Sequence, residues 1–142
     1  MKLRLTVVFL AAALLLCWGC GGNSDETPQS RIHGTWIIDI EKTAASSESV
    51  KEMLGDAPEA MEMLKASLGS AFINIDTDKG LMSGNMFGGE IPQTKFTVLS
   101  GEGNVVRIKK EDGQETEITI IDANSIAFRD PGYMDLVLVR KQ

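Results

Sequence analysis

Turn residues punctuate the second half of this chain at a spacing that a string of consecutive β-hairpins accommodates best. From residue 72 onward, β-rich runs at 72–76, 81–87, 94–99 and 105–110 are divided by Asp78-Lys79-Gly80, Gly88-Gly89, a turn at 100–103 and Asp112-Gly113. Runs at 115–121, 125–129 and 134–140 follow, divided by Asp122-Ala123-Asn124 and Asp130-Pro131-Gly132. Turn signals recurring every ~8–12 residues indicate an antiparallel meander. An earlier run at 32–40 alternates in part, with Trp36, Ile38 and Ile40 on one face and Thr35, Asp39 and Glu41 elsewhere, and brings the strands to eight.

Between that first strand and residue 72 the period changes. Val50, Met53, Leu54, Ala57, Met61, Leu64 and Leu68 recur at helical spacing and form one apolar stripe, away from Glu48, Lys51, Glu52, Glu59, Glu62 and Lys65. Gly55 weakens the middle, Asp56 can cap, and Pro58 suits a first helical turn, so the pattern predicts two short helices at 47–54 and 57–68, ended by Gly69. Eight strands can close into a barrel just wide enough to be filled by side chains or to hold one small ligand, and closure removes exposed edges. The expected fold is therefore mainly β: a small antiparallel up-and-down β-barrel with a helical pair inserted between strands 1 and 2. A twisted, incompletely closed sheet packed on the helices is the alternative.

The first thirty residues have a different character. Lys2 and Arg4 precede an apolar run at 5–16, followed by Cys17-Trp18-Gly19-Cys20. Basic start, apolar run and small residue make up a secretory signal, and the run is shorter than the roughly 20 apolar residues of a membrane span. The arrangement resembles a bacterial lipoprotein signal, in which the cysteine becomes the lipid-bearing first residue of the mature chain. That resemblance implies a signal peptide at 1–19 and lipidation of Cys20. Of the three residues before Cys20, only Gly19 fits the family's lipobox well. An ordinary secretory signal cleaved after Gly19 remains the other reading. The cysteine count favours lipidation, because no cysteine follows Cys20 to pair with it and acylation removes an exposed thiol.

Residues 20–30 carry no large apolar side chain after Cys20 and read as a flexible tether, leaving 31–142 as one barrel domain. Gly21, rather than Asp, follows Cys20. In the lipoprotein sorting rule this implies a cell-envelope location at the outer membrane, facing the periplasm, if the organism is Gram-negative. The membrane is then a partner through the anchor.

Charge excludes one class of partner. Without Lys2 and Arg4, 12 of the 14 basic residues remain against 20 acidic ones, a net charge of −8. Nucleic acid needs clustered Lys and Arg. The densest basic group, Arg107, Lys109 and Lys110, is followed at once by Glu111 and Asp112 and reads as a solvated hairpin.

Gly34-Thr35-Trp36 at the first strand resembles the Gly-x-Trp signature of the lipocalin and fatty-acid-binding (calycin) families. The resemblance implies that Trp36 packs across the closed end of the barrel as a structural floor. The helical pair after that strand resembles the portal of fatty-acid-binding proteins. The stretch 116–128 is similar to small bacterial lipocalin-like lipoproteins. The carboxylate-gripping Arg-x-Tyr of fatty-acid-binding proteins does not carry over, since Arg129 and Tyr133 are separated by a Pro-Gly turn.

Catalytic chemistry finds few parts. His33 is the one histidine, so a Cys/His zinc site lacks ligands, and no carboxylate pair stands out from hairpin charges. Asp76-Thr77-Asp78-Lys79-Gly80 departs from a calcium loop by its early Gly and its Lys and reads as a turn. Gly84, Gly88 and Gly89 are followed by no helix, so they mark bulges or bends rather than a dinucleotide site, and Pro92 indicates an edge or loop. No cofactor signature is present.

The methionines point to binding. Met53, Met61 and Met63 lie on the helical pair, and Met82, Met86 and Met134 on strands. Thioethers adapt to irregular apolar ligands, so Met53, Met61, Leu64 and Met86 are candidate ligand contacts beneath a helical lid. The same residues also suit a plug that fills the barrel end. Arg140 shares strand parity with Leu136 and Leu138 and is a candidate for an anionic head group. The resulting expectation is a non-enzymatic, membrane-anchored protein binding a small apolar or amphipathic molecule. The alternative is a cell-envelope interaction module, an assembly factor or an inhibitor of a basic wall-active enzyme, steered by the acidic charge.

Overall fold

The computed structural model describes residues 26–55, 57–131 and 135–142. The signal segment, Cys20, Asp56, Tyr133 and Met134 lie outside the described residues. A short helix α1 (Pro28–Ile32) leads into β1 (Gly34–Ile38). Three helices follow, α2 (Ile40–Ser46), α3 (Glu48–Leu54) and α4 (Pro58–Leu68). Seven further strands complete the chain: β2 (Phe72–Asp76), β3 (Leu81–Met86), β4 (Gly89–Glu102), β5 (Val105–Lys110), β6 (Glu115–Asp122), β7 (Ser125–Arg129) and β8 (Leu136–Arg140).

Every strand pairs antiparallel with the next, and β8 returns to β1 through Trp36↔Arg140, Ile37↔Val139 and Ile38↔Leu138, so the eight strands close into an up-and-down barrel. The period of two that marks the strands also fills the barrel. Val106 and Ile108, Ile118 and Ile120, and Ile126 and Phe128 all point inward and are buried, beside Trp36, Ile73, Ile75 and Leu138. Each such side chain contributes roughly 1.5–3 kcal/mol on burial. Register shifts at Met82/Gly84, Val98/Ser100 and Ile120/Asp122 bend the strands around the axis. At Gly84 a side chain would run into the Phe72 carbonyl oxygen, so this bend depends on glycine.

Two expectations change in detail. The run at 32–40 is divided among three elements. Ile32 ends α1, and Ile40 opens α2 because the Asp39 carboxylate accepts from Lys42 N–H at 3.0 Å and caps that helix. The inserted segment therefore holds the expected helical pair, as α3 and α4, with α2 added before it. Thr43 of α2 joins it to the barrel. Its hydroxyl accepts from Val137 N–H at 2.9 Å, while Asp39 N–H donates to Val137 O at 2.9 Å, continuing the β8 hydrogen bonding where β1 has ended. Ala44, Val50 and Leu54 make a second small core with Ala60, Met61 and Leu64. The other change is β4, which begins at Gly89 rather than 94 and carries Pro92 within it, beside the irregular register against β3.

Candidate functional site

The barrel has two unlike ends. Helix α1, the start of β1, the end of β8 and the β2–β3, β4–β5 and β6–β7 turns lie at one, and α2, α3 and α4 with the β3–β4 and β5–β6 connections at the other.

The first end is closed by Trp36, Arg140 and α1. Trp36 Nε1 donates to Ile32 O at 2.9 Å, and the Arg140 guanidinium stands 4.4 Å from the centroid of the Trp36 ring. Arg140 Nη1 donates to His33 O and Nη2 to Arg31 O, each at 2.8 Å. Those carbonyls come from the end of α1 and the residue after it, where the helix has no partners of its own to offer. Gly34, the residue after them, has φ +135°, and a Cβ there would sit 2.6 Å from Arg140 Nη1. The glycine of Gly34-Thr35-Trp36 thus serves a backbone conformation that L side chains rarely adopt, and a Cβ there would also displace the tip of the arginine that passes over it. Arg140 does point inward as its parity implies, but at the closed end and with its donors directed to backbone carbonyls.

The second end holds a cavity of about 200 Å³. Its apolar wall is Ile73, Met82, Met86, Ile91, Phe128 and Leu136, with Pro92 and Thr94 from β4. Its polar side is Lys110, Asp112, Gln114 and Asp130, all at or just past the ends of β5, β6 and β7. Lys110 Nζ donates to Asp130 Oδ2 at 2.5 Å and to Gln114 Oε1 at 2.8 Å. The Gln114 amide in turn donates to Pro131 O. The ion pair is deeply buried, its side chains only 9% and 3% exposed. Among the described residues, no donor reaches Asp130 Oδ1. A buried carboxylate oxygen without a donor is costly, which marks the position as one able to take a polar group from a guest.

The expected contacts distribute unevenly around this cavity. Met86 lines it. Leu64 packs against the barrel core from α4, while Met61 lines a separate open groove among the helices, with Ala44 and Leu54. Met53 is 67% exposed. Among the described residues, no helix residue lines the cavity, whose mouth is formed by strand ends and turns. Lys110 and Asp130 were not singled out by sequence. Lys110 reads as one more hairpin charge, yet it shares parity with the inward Val106 and Ile108, and Asp130 shares it with Ile126 and Phe128. An ionisable residue continuing an inward apolar row was the available signal.

His33, Asp76 and Asp78 also come together, with one potential ligand atom from each within 4.8 Å of the others. Their hydrogen bonds serve a turn instead. His33 Nδ1 accepts from Thr77 N–H at 3.2 Å, whereas a metal-bound histidine commonly donates through its second nitrogen. The Asp76 carboxylate accepts from Lys79 N–H at 3.0 Å and pairs with Lys79 Nζ. These bonds, led by the backbone one, hold Asp76 below its ordinary pKa of 3.8.

No family model, curated protein or solved structure matches the chain.

Proposed function

We propose that this chain is a membrane-anchored, lipocalin-like protein, tethered through a lipid on Cys20, that binds a small amphipathic molecule in the mouth of its barrel without chemically altering it. The observation that carries the reading is the cavity of about 200 Å³ at the end opposite the Trp36–Arg140 floor, apolar on one side and polar on the other. Ligand sites are commonly apolar concavities with a few convergent polar groups, and this one is smaller than the ~300–1,000 Å³ typical of such sites. A short molecule, or the end of a longer one, is the fitting guest. The Gly34-Thr35-Trp36 strand and the closed floor support the lipocalin likeness, and the signal-like pattern at 1–19 followed by Cys20 supports the anchor.

Native mass spectrometry of the full chain after gentle extraction tests this. A mass adduct lost on denaturation is expected. A ligand-free chain that also takes up no added short amphiphile would contradict it.

A surface role is the second reading. Met53 and Met63 are 67% and 72% exposed on helices that also carry Glu48, Glu52, Glu59 and Glu62. Large apolar side chains among acidic ones suit a basic protein partner. Pull-down from envelope extracts at low and high salt decides it, with a salt-sensitive partner expected and its absence counting against the role.

A further inference from the structure

The cavity's polar side is chemically biased. Among the described residues, three charged groups line it: one cation, Lys110, and two carboxylates, Asp112 and Asp130. Lys110 is already engaged by Asp130 Oδ2 and Gln114 Oε1, which leaves one of its three N–H donors. Asp112 Oδ1 accepts from Gln114 N–H at 2.9 Å. Asp130 Oδ1 is buried and, among the described residues, lacks a donor.

We infer that the cavity selects amphiphiles whose head group is a hydrogen-bond donor without negative charge, an amine or an alcohol, and discriminates against carboxylates. The inference rests on the ligand-binding reading above and names the class of guest. Asp130 Oδ1 is covered in the guest-free structure, so an ammonium or hydroxyl entering the mouth donates to it, and completes its hydrogen bonding, only as the side chains at the mouth give way. A bond to an ionised acceptor is about twice as strong as a neutral one. A hydroxyl also accepts from the remaining Lys110 N–H. A carboxylate brings no donor, meets a cation that Asp130 already neutralises, and adds a third negative group to the mouth. Removing it from water is therefore poorly compensated. Met82, Met86 and Phe128 would meet the alkyl portion.

Methyl NMR of the full chain labelled at methionine tests this directly. Met82 and Met86 line the cavity, whereas Met53 and Met63 are exposed and report adsorption elsewhere. Hexylamine, 1-hexanol and hexanoate are titrated at neutral pH. The amine and alcohol are expected to shift Met82 and Met86 selectively and to bind at least about tenfold tighter than hexanoate. Hexanoate binding equally well overturns the inference and leaves the cavity as a ligand site. No selective shift with any of the three overturns the binding reading itself, and the inference with it. Asp130→Asn keeps the volume and should abolish the preference for hexylamine over hexanoate; a preserved preference overturns the role of Asp130. If that variant does not fold, the ranking of the three probes on the unaltered chain decides alone.

Discussion

Arg140 and Trp36 face each other across the β8–β1 seam, paired in register and with the guanidinium 4.4 Å from the ring centroid. The pair closes the barrel twice. It joins the last strand to the first, and it fastens α1 beneath the interior through the carbonyls of Arg31 and His33.

Arg140→Met should cost about 3 kcal/mol in urea unfolding, because two bonds from a charged donor and the ring contact are lost together. Arg140→Lys should recover only part of it, since an ammonium lacks the planar fork. Gly34→Ala should cost about 2 kcal/mol through its positive φ and the collision with Nη1. The collision disappears when Arg140 is shortened, so Gly34→Ala should cost less in the Arg140→Met background than alone. Strict additivity of the two would show that the glycine does not serve the arginine.

Removing one member of the Lys110–Asp130 pair leaves a charge stranded in the barrel mouth. Asp130→Ala or Lys110→Ala should therefore destabilise by about 3 kcal/mol. Replacing both, as Lys110→Met with Asp130→Leu, should restore most of that stability while removing the preference for donor head groups. Thermal midpoints of the three variants check the order. A double variant as unstable as the singles would mean that the pair is required by the fold rather than by the cavity.

Acid sensitivity has two identifiable contributors. Asp76 and Asp122 are both held below the ordinary value of 3.8, chiefly by backbone N–H groups of Lys79 and Asn124. A carboxyl whose folded pKa is depressed binds fewer protons than in the unfolded chain. Its stabilisation is present above about pH 4 and is lost as pH falls through 3.8 and below. Asp76→Asn with Asp122→Asn should flatten the acid limb of the stability curve. The variant should lie below the parent at neutral pH and converge on it near pH 2. Parallel curves over that range would contradict the assignment.

The hairpins were legible because inward rows such as Ile118-Ile120 and Ile126-Phe128 alternate without interruption and their turns carry glycine, asparagine or aspartate. The helical region was less so. Ile40 extends the alternation of Trp36 and Ile38 by one step, and only the capping by Asp39 reassigns it to a helix. The candidate cavity was harder still. Its apolar wall is made of ordinary core residues, and Lys110 and Asp130 lie 20 positions apart, brought together by register and by nothing local. Arg140 illustrates the remaining limit. Parity gave its direction, but which end of the barrel it serves depends on the two carbonyls waiting there.

Cys20 carries the proposed anchor. Cys20→Ser should abolish incorporation of an alkyne-bearing fatty acid and move the protein from the membrane fraction to the soluble one. Labelling that persists in the variant would place the lipid elsewhere or remove it from the account.

The central claim, that the open end of the barrel holds a small guest, is tested most directly by filling it. Met86→Trp adds a large ring to the cavity wall and touches neither Trp36 nor Arg140. Native mass spectrometry should detect a noncovalent adduct on the parent chain and none on Met86→Trp, with both equally folded by circular dichroism. An adduct of the same mass on both proteins would contradict the claim.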